Sequence, residues 1–401
     1  MTRSLRYLTG LTAVVVALIF VAMPYVDALA LITRAAGIQG ALGSIGHWRA
    51  HGVVTEGLIK IATRHGEVDG RIYRPMTGTF RRSVALVPGV HIDGIRESRL
   101  VGLAEDLAGA GYQVLTVAPP NLQRFMITPE NIDIIEDAAR WLALEHPGPD
   151  GKIGMLGISF SGGLSIVAAG RPDLRDKVAF VMSFGGHGDL ARVLRYLCSG
   201  NAPAMPPVDE AKKLVAGAEH VSIAPPHDYG VAVTLLSLAE FVVPPDQVEP
   251  LRKGILTFLT ASSLDGPDKA RAKVEFENAR GFEKTLPEPA RTLMEHVNNR
   301  AVDKLSPVLL PIVEKVWERP ELAAMSPERM PAPRGAVFLL HGAEDSVIPS
   351  VETVLLANHL RDKTELHAVL SGLITHAEVD KSAAAIEVWR LIGFWKDLMS
   401  E

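Results

Sequence analysis

Between residues 152 and 169 a strand, a tight turn and a helix follow one another without a linker. The run 152–158 (KIGMLGI) is typical of a buried strand, and the small residues 161–169 are typical of a helix. The turn that joins them, residues 157–162, reads GISFSG. A turn this sharp strains the backbone of Ser159 and presents its hydroxyl beside the free N–H groups at the helix start. This arrangement predicts that Ser159 is a nucleophile for an ester or amide carbonyl.

The turn leaves two alternatives to that interpretation. Ser161 occupies a position where a second glycine is more usual, and it is a competing nucleophile. Its own frame lacks the preceding glycine that a sharp turn needs, so Ser159 is favoured over Ser161. The other alternative is a Ser-Gly turn that performs no chemistry.

Apolar runs alternate with helical periodicities over most of the chain, and this pattern predicts the fold class. Strands are predicted at 57–64, 68–73, 82–87, 112–117, 152–158, 178–184, 336–340 and 364–370. The first two form a hairpin, and the later ones are separated by helices. The prediction is an α/β fold with a mostly parallel eight-stranded sheet and helices on both faces.

A long segment interrupts this alternation. Residues 191–333 show helical periodicities and proline-rich breaks, without a strand pattern. We interpret this segment as a helical cap over the carboxyl ends of the strands, where open α/β sheets bind their ligands. The predicted organisation is an amino-terminal anchor or signal at 1–35, a core at 36–190, the cap at 191–333 and a second core part at 334–401.

The amino terminus carries a candidate membrane segment. No charged residue occurs from Tyr7 to Val26, while Arg3 and Arg6 precede this stretch and Asp27 follows it. Such a stretch is long enough to cross a bilayer, with the rest of the chain extracytoplasmic. Ala28–Ala30 offers a small-x-small cleavage site, so a signal peptide and a secreted or periplasmic protein are the alternative. A helix packed on the domain is the third interpretation.

Composition excludes several classes of function. Lys and Arg number 41 against 46 Asp and Glu, and a net charge of −5 offers no general nucleic-acid surface. Cys198 is the single cysteine, so the chain forms no internal disulfide and no cysteine zinc cage. His47 and His51 have a spacing compatible with a metal on one helix face, but no carboxylate or cysteine lies nearby in sequence. We therefore predict neither a metal nor a cofactor.

Two late strand ends supply the acid and base that a serine nucleophile needs. Asp345 lies in the segment 341–349 (HGAEDSVIP), just after a strand, and His376 lies in the loop after the last strand. Adjacent parallel strands bring such loops together, and a carboxylate-oriented imidazole activates serine. Glu344 and Asp189, which follows the strand 178–184, are alternative acids. Asp345 could instead form an Asx turn, and His376 could be a surface histidine.

These residues carry a family resemblance. The order Ser159, Asp345, His376, the HGxxDxxxP segment and the motif at 88–90 (PGV) together resemble the α/β-hydrolase superfamily, in its esterase, lipase and dienelactone-hydrolase-like branches. The resemblance covers about residues 55–190 and 334–401.

The resemblance implies further roles. The backbone N–H groups of Val90 and Phe160 would form the oxyanion hole, although many members have His-Gly where this chain has Pro88-Gly89. His341 would be structural, and His91 is a candidate for the pocket wall. The expected function is a serine hydrolase that acts on a small carboxylic ester, with an apolar acyl group, through an acyl-enzyme. A peptidase or amidase, a lactone hydrolase or an acyltransferase could use the same triad. A non-catalytic, membrane-tethered binding protein is the alternative outside enzymes.

Overall fold

An eight-stranded sheet forms the centre of the molecule. The computed structural model describes residues 20–76, 80–265, 268–316, 319–374 and 381–401, except the side chains of residues 42 and 381–384. The strands are β1 (Val53–Thr63), β2 (Gly66–Pro75), β3 (Ser83–Val87), β4 (Gln113–Val117), β5 (Ile153–Ile158), β6 (Val178–Phe184), β7 (Ala336–Gly342) and β8 (Leu366–Ser371).

The strand order is β1-β2-β4-β3-β5-β6-β7-β8. β1 and β2 form an antiparallel hairpin, β2 pairs antiparallel with β4, and all later pairings are parallel. The predicted mostly parallel eight-stranded sheet is thereby confirmed. Because β6 lies between β5 and β7, the loops after these three strands meet at one edge of the sheet.

Helices cover both faces of the sheet, as predicted. One face packs against α3 (Ser98–Gly109) and α16 (Lys381–Leu398), and the other packs against α5 (Pro129–Glu145) and α6 (Phe160–Gly170). These helices are amphipathic or apolar, and their buried residues join the side chains of the strands in two hydrophobic clusters.

Between β6 and β7, the regular elements in the described residues are all helical. They are α7 (Leu190–Ser199), α8 (Val208–Leu214), α9 (Tyr229–Val242), α10 (Pro245–Leu264), α11 (Lys269–Thr285), α12 (Ala290–Asn298), α13 (Val302–Val316) and α14 (Pro320–Ala323), with two short 3-10 turns. Ala216, between α8 and α9, pairs as an isolated bridge with Val369 of β8. The interrupting segment thus covers the outer edge of β8, which would otherwise present unpaired backbone groups.

The amino-terminal helix packs on the body through its second half. Within the described residues this helix, α1, spans 20–35, and α2 (Gly40–Arg49) follows it. Ala28 is fully buried, whereas Phe20 is 76% exposed. Asp27 accepts hydrogen bonds from Arg49 at 2.7 Å and from Arg81 at 2.6 Å.

The predicted membrane segment lies for the most part, at residues 7–19, outside the described residues. Across the part of the chain that the structure describes, no helix combines the length and apolar character needed to cross a bilayer.

Candidate active site

Ser159 occupies a strained turn between β5 and α6. Its φ of 56° and ψ of −133° fall in a region that side-chain-bearing residues rarely adopt. Its N–H donates to the carbonyl of Phe184, at the end of β6, at 2.7 Å. The turn is tight enough that a Cβ at Gly157 would lie 2.3 Å from the Ser161 carbonyl oxygen, so only glycine fits there. The surrounding structure therefore holds Ser159 in a conformation that costs on the order of 1–3 kcal/mol.

Ser161, the competing nucleophile, is fully buried. Its hydroxyl donates to the carbonyl of Pro88, in the loop after β3. The same loop lies against the strained turn, because a Cβ at Gly89 would be 3.2 Å from Cβ of Ser159. The Ser161 hydroxyl thus connects the turn to the loop, while Ser159 is free to face a cavity.

The cavity beside Ser159 has a volume of about 240 Å³. Its lining combines the strand-end loops with residues from α9 and α10. The lining residues are Val90, His91, Arg99, Phe125, Ser159, Phe160, His227, Tyr229, Val233, Leu259, Ser262, Ser263 and Val347. The helical segment between β6 and β7 therefore forms one wall of this cavity.

The two predicted oxyanion donors border the same cavity. Phe160 is the first residue of α6, so its N–H belongs to the first helical turn and has no intrahelical acceptor. Val90 lies in the loop that contacts Ser159 through Gly89. N–H groups at a helix start suit an oxygen that gains negative charge.

Asp345 follows β7 and is held by two kinds of donor. Its Oδ1 accepts from the backbone N–H groups of Val347 at 2.8 Å and Ile348 at 3.0 Å, which is an Asx-type turn. Its Oδ2 lies 3.3 Å from Nε2 of His341. Burial by itself raises the pKa of Asp345, but the hydrogen bond and charge of His341 and the two backbone donors outweigh it, so the net pKa is lowered. Asp345 is therefore ionised at neutral pH.

Ser159 and Asp345 stand on opposite sides of the end of β6. Ser159 is hydrogen-bonded to Phe184, and the next residue, Gly185, has its Cβ position 3.5 Å from Oδ2 of Asp345. Gly185 has a positive φ of 65°, and a side chain there would point at this carboxylate. The end of β6 therefore spaces the hydroxyl and the carboxylate apart.

His376 lies outside the described residues. The loop that leads to it begins next to Asp345, because β8 pairs with β7 up to Ser371 and Gly342, and Ala343 N–H donates to Ser371 at 3.1 Å. The role of His376 as base thus stays a prediction.

His341 is fully buried and supports the acid loop. Its Nε2 lies 2.9 Å from the carbonyl of Ile348, and its Nδ1 lies 2.7 Å from the Thr353 hydroxyl. Because the Ile348 carbonyl and the Asp345 carboxylate are both acceptors, Nε2 of His341 carries a proton that it can donate to them. His341 therefore fixes the loop that carries Asp345.

The alternative acids have other surroundings. Asp189 begins α7, accepts from the N–H of Arg192 at 3.0 Å and pairs with Nε of Arg329 at 3.0 Å. Glu344 is exposed to solvent. The structure therefore commits Asp189 to a helix cap and an ion pair, away from the Ser159 turn.

Nothing in the sequence points to several cavity residues, among them Arg99 and Phe125, whereas the segment 227–230 (HDYG) is compatible there with either a helix start or a pocket wall. His227 and Tyr229 of that segment line the cavity, and the N–H of His227 donates to Ser346 at 2.8 Å, which joins the cap to the acid loop. Burial raises the pKa of Tyr229, and the charge of Asp345 raises it further. The HDYG sequence before an apolar helix was the only available signal.

His47 and His51 do not lie on one helix face. His47 belongs to α2, but the helix ends at Arg49, and His51 lies beyond it. In the described ranges, no group of three or more His, Cys, Asp or Glu side chains is arranged to hold a metal ion.

No protein-family model matches the chain, and no curated protein matches it in sequence. Several solved structures, however, resemble the structure of this chain. A candidate hydrolase from Legionella pneumophila is 14% identical, with a TM-score of 0.50 over 87% of this chain and 90% of that one. At this identity the likeness shows the fold alone.

Two looser likenesses add nothing to that conclusion. An esterase from Pyrobaculum calidifontis is 15% identical, with a TM-score of 0.40 over 94% of this chain and 92% of that one. An acylaminoacyl peptidase from Pyrococcus horikoshii is 11% identical, with a TM-score of 0.45 over 90% of this chain. This chain spans 43% of the length of that peptidase.

Proposed function

We propose that this chain, whose fold is that of the α/β-hydrolase superfamily, is a serine hydrolase that cleaves a carboxylic ester. The observation that carries the proposal is the strained Ser159, which lines a cavity together with Val90 and Phe160, while Asp345 lies next to the same strand end, that of β6. Strained residues of this kind cluster at active sites, where the turn presents a reactive side chain.

In the proposed mechanism the Oγ of Ser159 attacks the ester carbonyl carbon, and its proton passes to His376. Asp345, ionised and held by Val347 and Ile348, orients the imidazole and stabilises its charged form. The N–H groups of Val90 and Phe160 stabilise the oxyanion. The bond to the alcohol oxygen breaks, and His376 returns its proton to that oxygen.

Water then releases the acid. The oxygen of the water attacks the acyl carbonyl carbon while His376 takes a proton from the water. The bond to Oγ of Ser159 then breaks, the acid leaves, and His376 returns the proton to Oγ. Phe125, Val233 and Leu259 give the cavity apolar walls for an acyl chain. A volume of about 240 Å³ suits a small ester rather than a long lipid.

The same residues would also serve a peptidase or amidase, a lactone hydrolase or an acyltransferase. These reactions share the acyl-enzyme and differ in the leaving group or in the acceptor. Rates on matched ester, amide and lactone substrates, with and without an added alcohol acceptor, separate them.

The experiment is labelling with a fluorophosphonate probe, which reacts only with an activated serine, together with hydrolysis of p-nitrophenyl butyrate. We expect wild type to be labelled and active, and Ser159→Ala to lose labelling and at least about 10⁴-fold in kcat/KM. Ser161→Ala removes the competing hydroxyl and is expected to retain labelling.

Labelling of folded Ser159→Ala at the wild-type level would reject the proposed nucleophile. An unlabelled, inactive wild type would instead favour the non-catalytic binding protein. Membrane attachment through residues 7–26 remains our second proposal, and it is tested by membrane fractionation of the full chain.

A further inference from the structure

The cavity lining has an uneven distribution of charge. Among its described residues it contains Arg99, His91 and His227, and it contains no Asp or Glu. Arginine stays charged at any physiological pH, and a histidine ring always presents at least one N–H donor. The described wall therefore combines one permanent positive charge, that of Arg99, with the N–H donors of two histidines, beside apolar side chains such as Val233 and Leu259.

Arg99 is the fixed charge in this wall, and Glu97 positions it. Glu97 Oε1 accepts from Nε of Arg99 at 2.7 Å, and Glu97 Oε2 accepts from the N–H of Leu100 at 2.8 Å, which caps α3. Both carboxylate oxygens are thus engaged, and only the Nε edge of the guanidinium is used. Among the described residues, no hydrogen-bond acceptor pairs with the two Nη groups of Arg99.

The two histidines are arranged differently from Arg99. Nδ1 of His91 accepts from the N–H of Asp93 at 3.2 Å, which leaves the proton on Nε2. Nδ1 of His227 lies 3.0 Å from Asp228, whose other oxygen pairs with Arg300. All three side chains therefore have a nearby acid outside the cavity lining, and Arg99 differs from the histidines in its permanent charge and in its two Nη groups, which have no acceptor among the described residues.

From this arrangement we infer that the substrate is an ester that bears a second, ionised carboxylate, which the Nη groups of Arg99 bind. The inference rests on the proposed function and names its substrate class. The carboxylate belongs either to the acyl part or to the alcohol part of the ester. The planar guanidinium fork suits a carboxylate in a bidentate contact.

The expected strength of the contact between Arg99 and the substrate carboxylate follows from the exposure of the Arg99 side chain. The Arg99 side chain is 85% exposed, so solvent screens its charge and the contact is weaker than a buried pair. We expect a preference of about tenfold for an acid over its amide, near the lower limit for a charge-assisted hydrogen bond.

The experiment compares two isosteric substrate pairs. p-Carboxyphenyl butyrate against p-carbamoylphenyl butyrate places the charge on the alcohol side, and monophenyl adipate against its monoamide places it on the acyl side. We expect wild type to prefer the acid about tenfold in one pair, mainly through KM, and the preference to weaken in high salt. Arg99→Gln should abolish it, whereas Arg96→Gln, which removes an exposed arginine outside the cavity lining, should keep it.

The same pairs are titrated calorimetrically into Ser159→Ala, so binding is measured without turnover. If Ser159→Ala binds an acid more tightly than its amide, and if the added substitution Arg99→Gln removes this difference, the inference is supported. That holds even if wild type cleaves no ester, and in that case only the proposed reaction fails. Equal binding and equal turnover of acid and amide in both pairs would overturn the inference while leaving the ester hydrolase intact. An acid preference that survives Arg99→Gln would overturn it as well.

Discussion

Two neighbouring strand-end loops each contain an acidic residue that is at least partly buried, and the two residues have different partners. The loop after β6 contains His187 and Asp189, and the loop after β7 contains Asp345. Both carboxyls have lowered pKa values, although burial raises each. Asp189 has one oxygen on the N–H of Arg192 and the other on Arg329, so both are committed to the α7 end of the cap.

Asp345 has one oxygen on backbone donors, and its other oxygen faces the end of β6 beside His341. Glu352, fully buried, adds to the contrast because it accepts from the N–H groups of Gly188 and Asp189 and thereby fixes the β6 loop. Position after a strand therefore does not identify a catalytic acid. The partners of each oxygen do: both oxygens of Asp189 are engaged at the α7 end of the cap, whereas Oδ2 of Asp345 has His341 as its partner and keeps a lone pair for a second donor.

The largest expected effect separates Asp345 from its neighbour Glu344. Asp345→Asn should lower kcat for the ester by about 10³–10⁴-fold, because an amide orients the wrong imidazole tautomer and cannot stabilise its charge. Glu344→Gln makes the same change in charge at an exposed site and should stay within about threefold of wild type. Steady-state kinetics on folded variants decide, and an Asp345→Asn loss below tenfold would remove Asp345 from the triad.

A second effect concerns the β6 loop and pH. His187 is fully buried, and burial lowers its pKa to about 4 from 6.5. Between these values the unfolded chain binds the proton and the folded chain does not, so stability rises with pH from 4 to 6.5. The shift of about 2.5 pH units corresponds to about 3 kcal/mol lost at pH 4 relative to pH 7.

His187→Gln should remove this contribution while keeping a donor for the carbonyl of Met325, which His187 Nε2 contacts at 3.0 Å. Urea unfolding at a series of pH values measures the free energy for both proteins. The slope between pH 4 and 6.5 should be shallower in the variant, whatever its absolute stability. Parallel curves would show that His187 is protonated without unfolding.

The smallest effect is the stability cost at Asp189. Asp189→Asn should lower the free energy of unfolding by about 0.5–1 kcal/mol, because the ion pair with Arg329 is lost, whereas the Asn amide oxygen can still accept from the N–H of Arg192 and cap α7. Ester turnover should change by less than about threefold. Urea unfolding and kinetics on the same preparation give both numbers, and a turnover loss matching that of Asp345→Asn would reverse the roles of the two loops.

Much of the fold follows from local patterns. The strand predicted at 178–184 is β6 to the residue, and that at 152–158 differs from β5 by one residue. Buried parallel strands are short apolar runs bounded by turns, so they can be recognised in the sequence. The sharp turn can be recognised as well, because the close approach of the Ser161 carbonyl leaves room only for glycine at position 157.

The cavity wall follows from packing instead. Arg99 and Tyr229 are more than a hundred residues apart, and they line one cavity only because the cap docks over the strand ends. The partner of each Asp189 oxygen depends likewise on where Arg192 and Arg329 meet. Asp189 and Asp345 both follow a strand in the sequence and are both candidates for that reason. Only their contacts in the folded chain distinguish them.

The docked half of α1 has a consequence for export. A signal peptidase that cut after Ala30 would release Asp27 and leave Arg49 and Arg81 without their shared counterion. It would also discard Ala28 and Ala30, which are buried against the body. Cleavage after Ala30 would therefore remove contacts that stabilise the described fold, so this fold favours a chain that keeps residues 20–35.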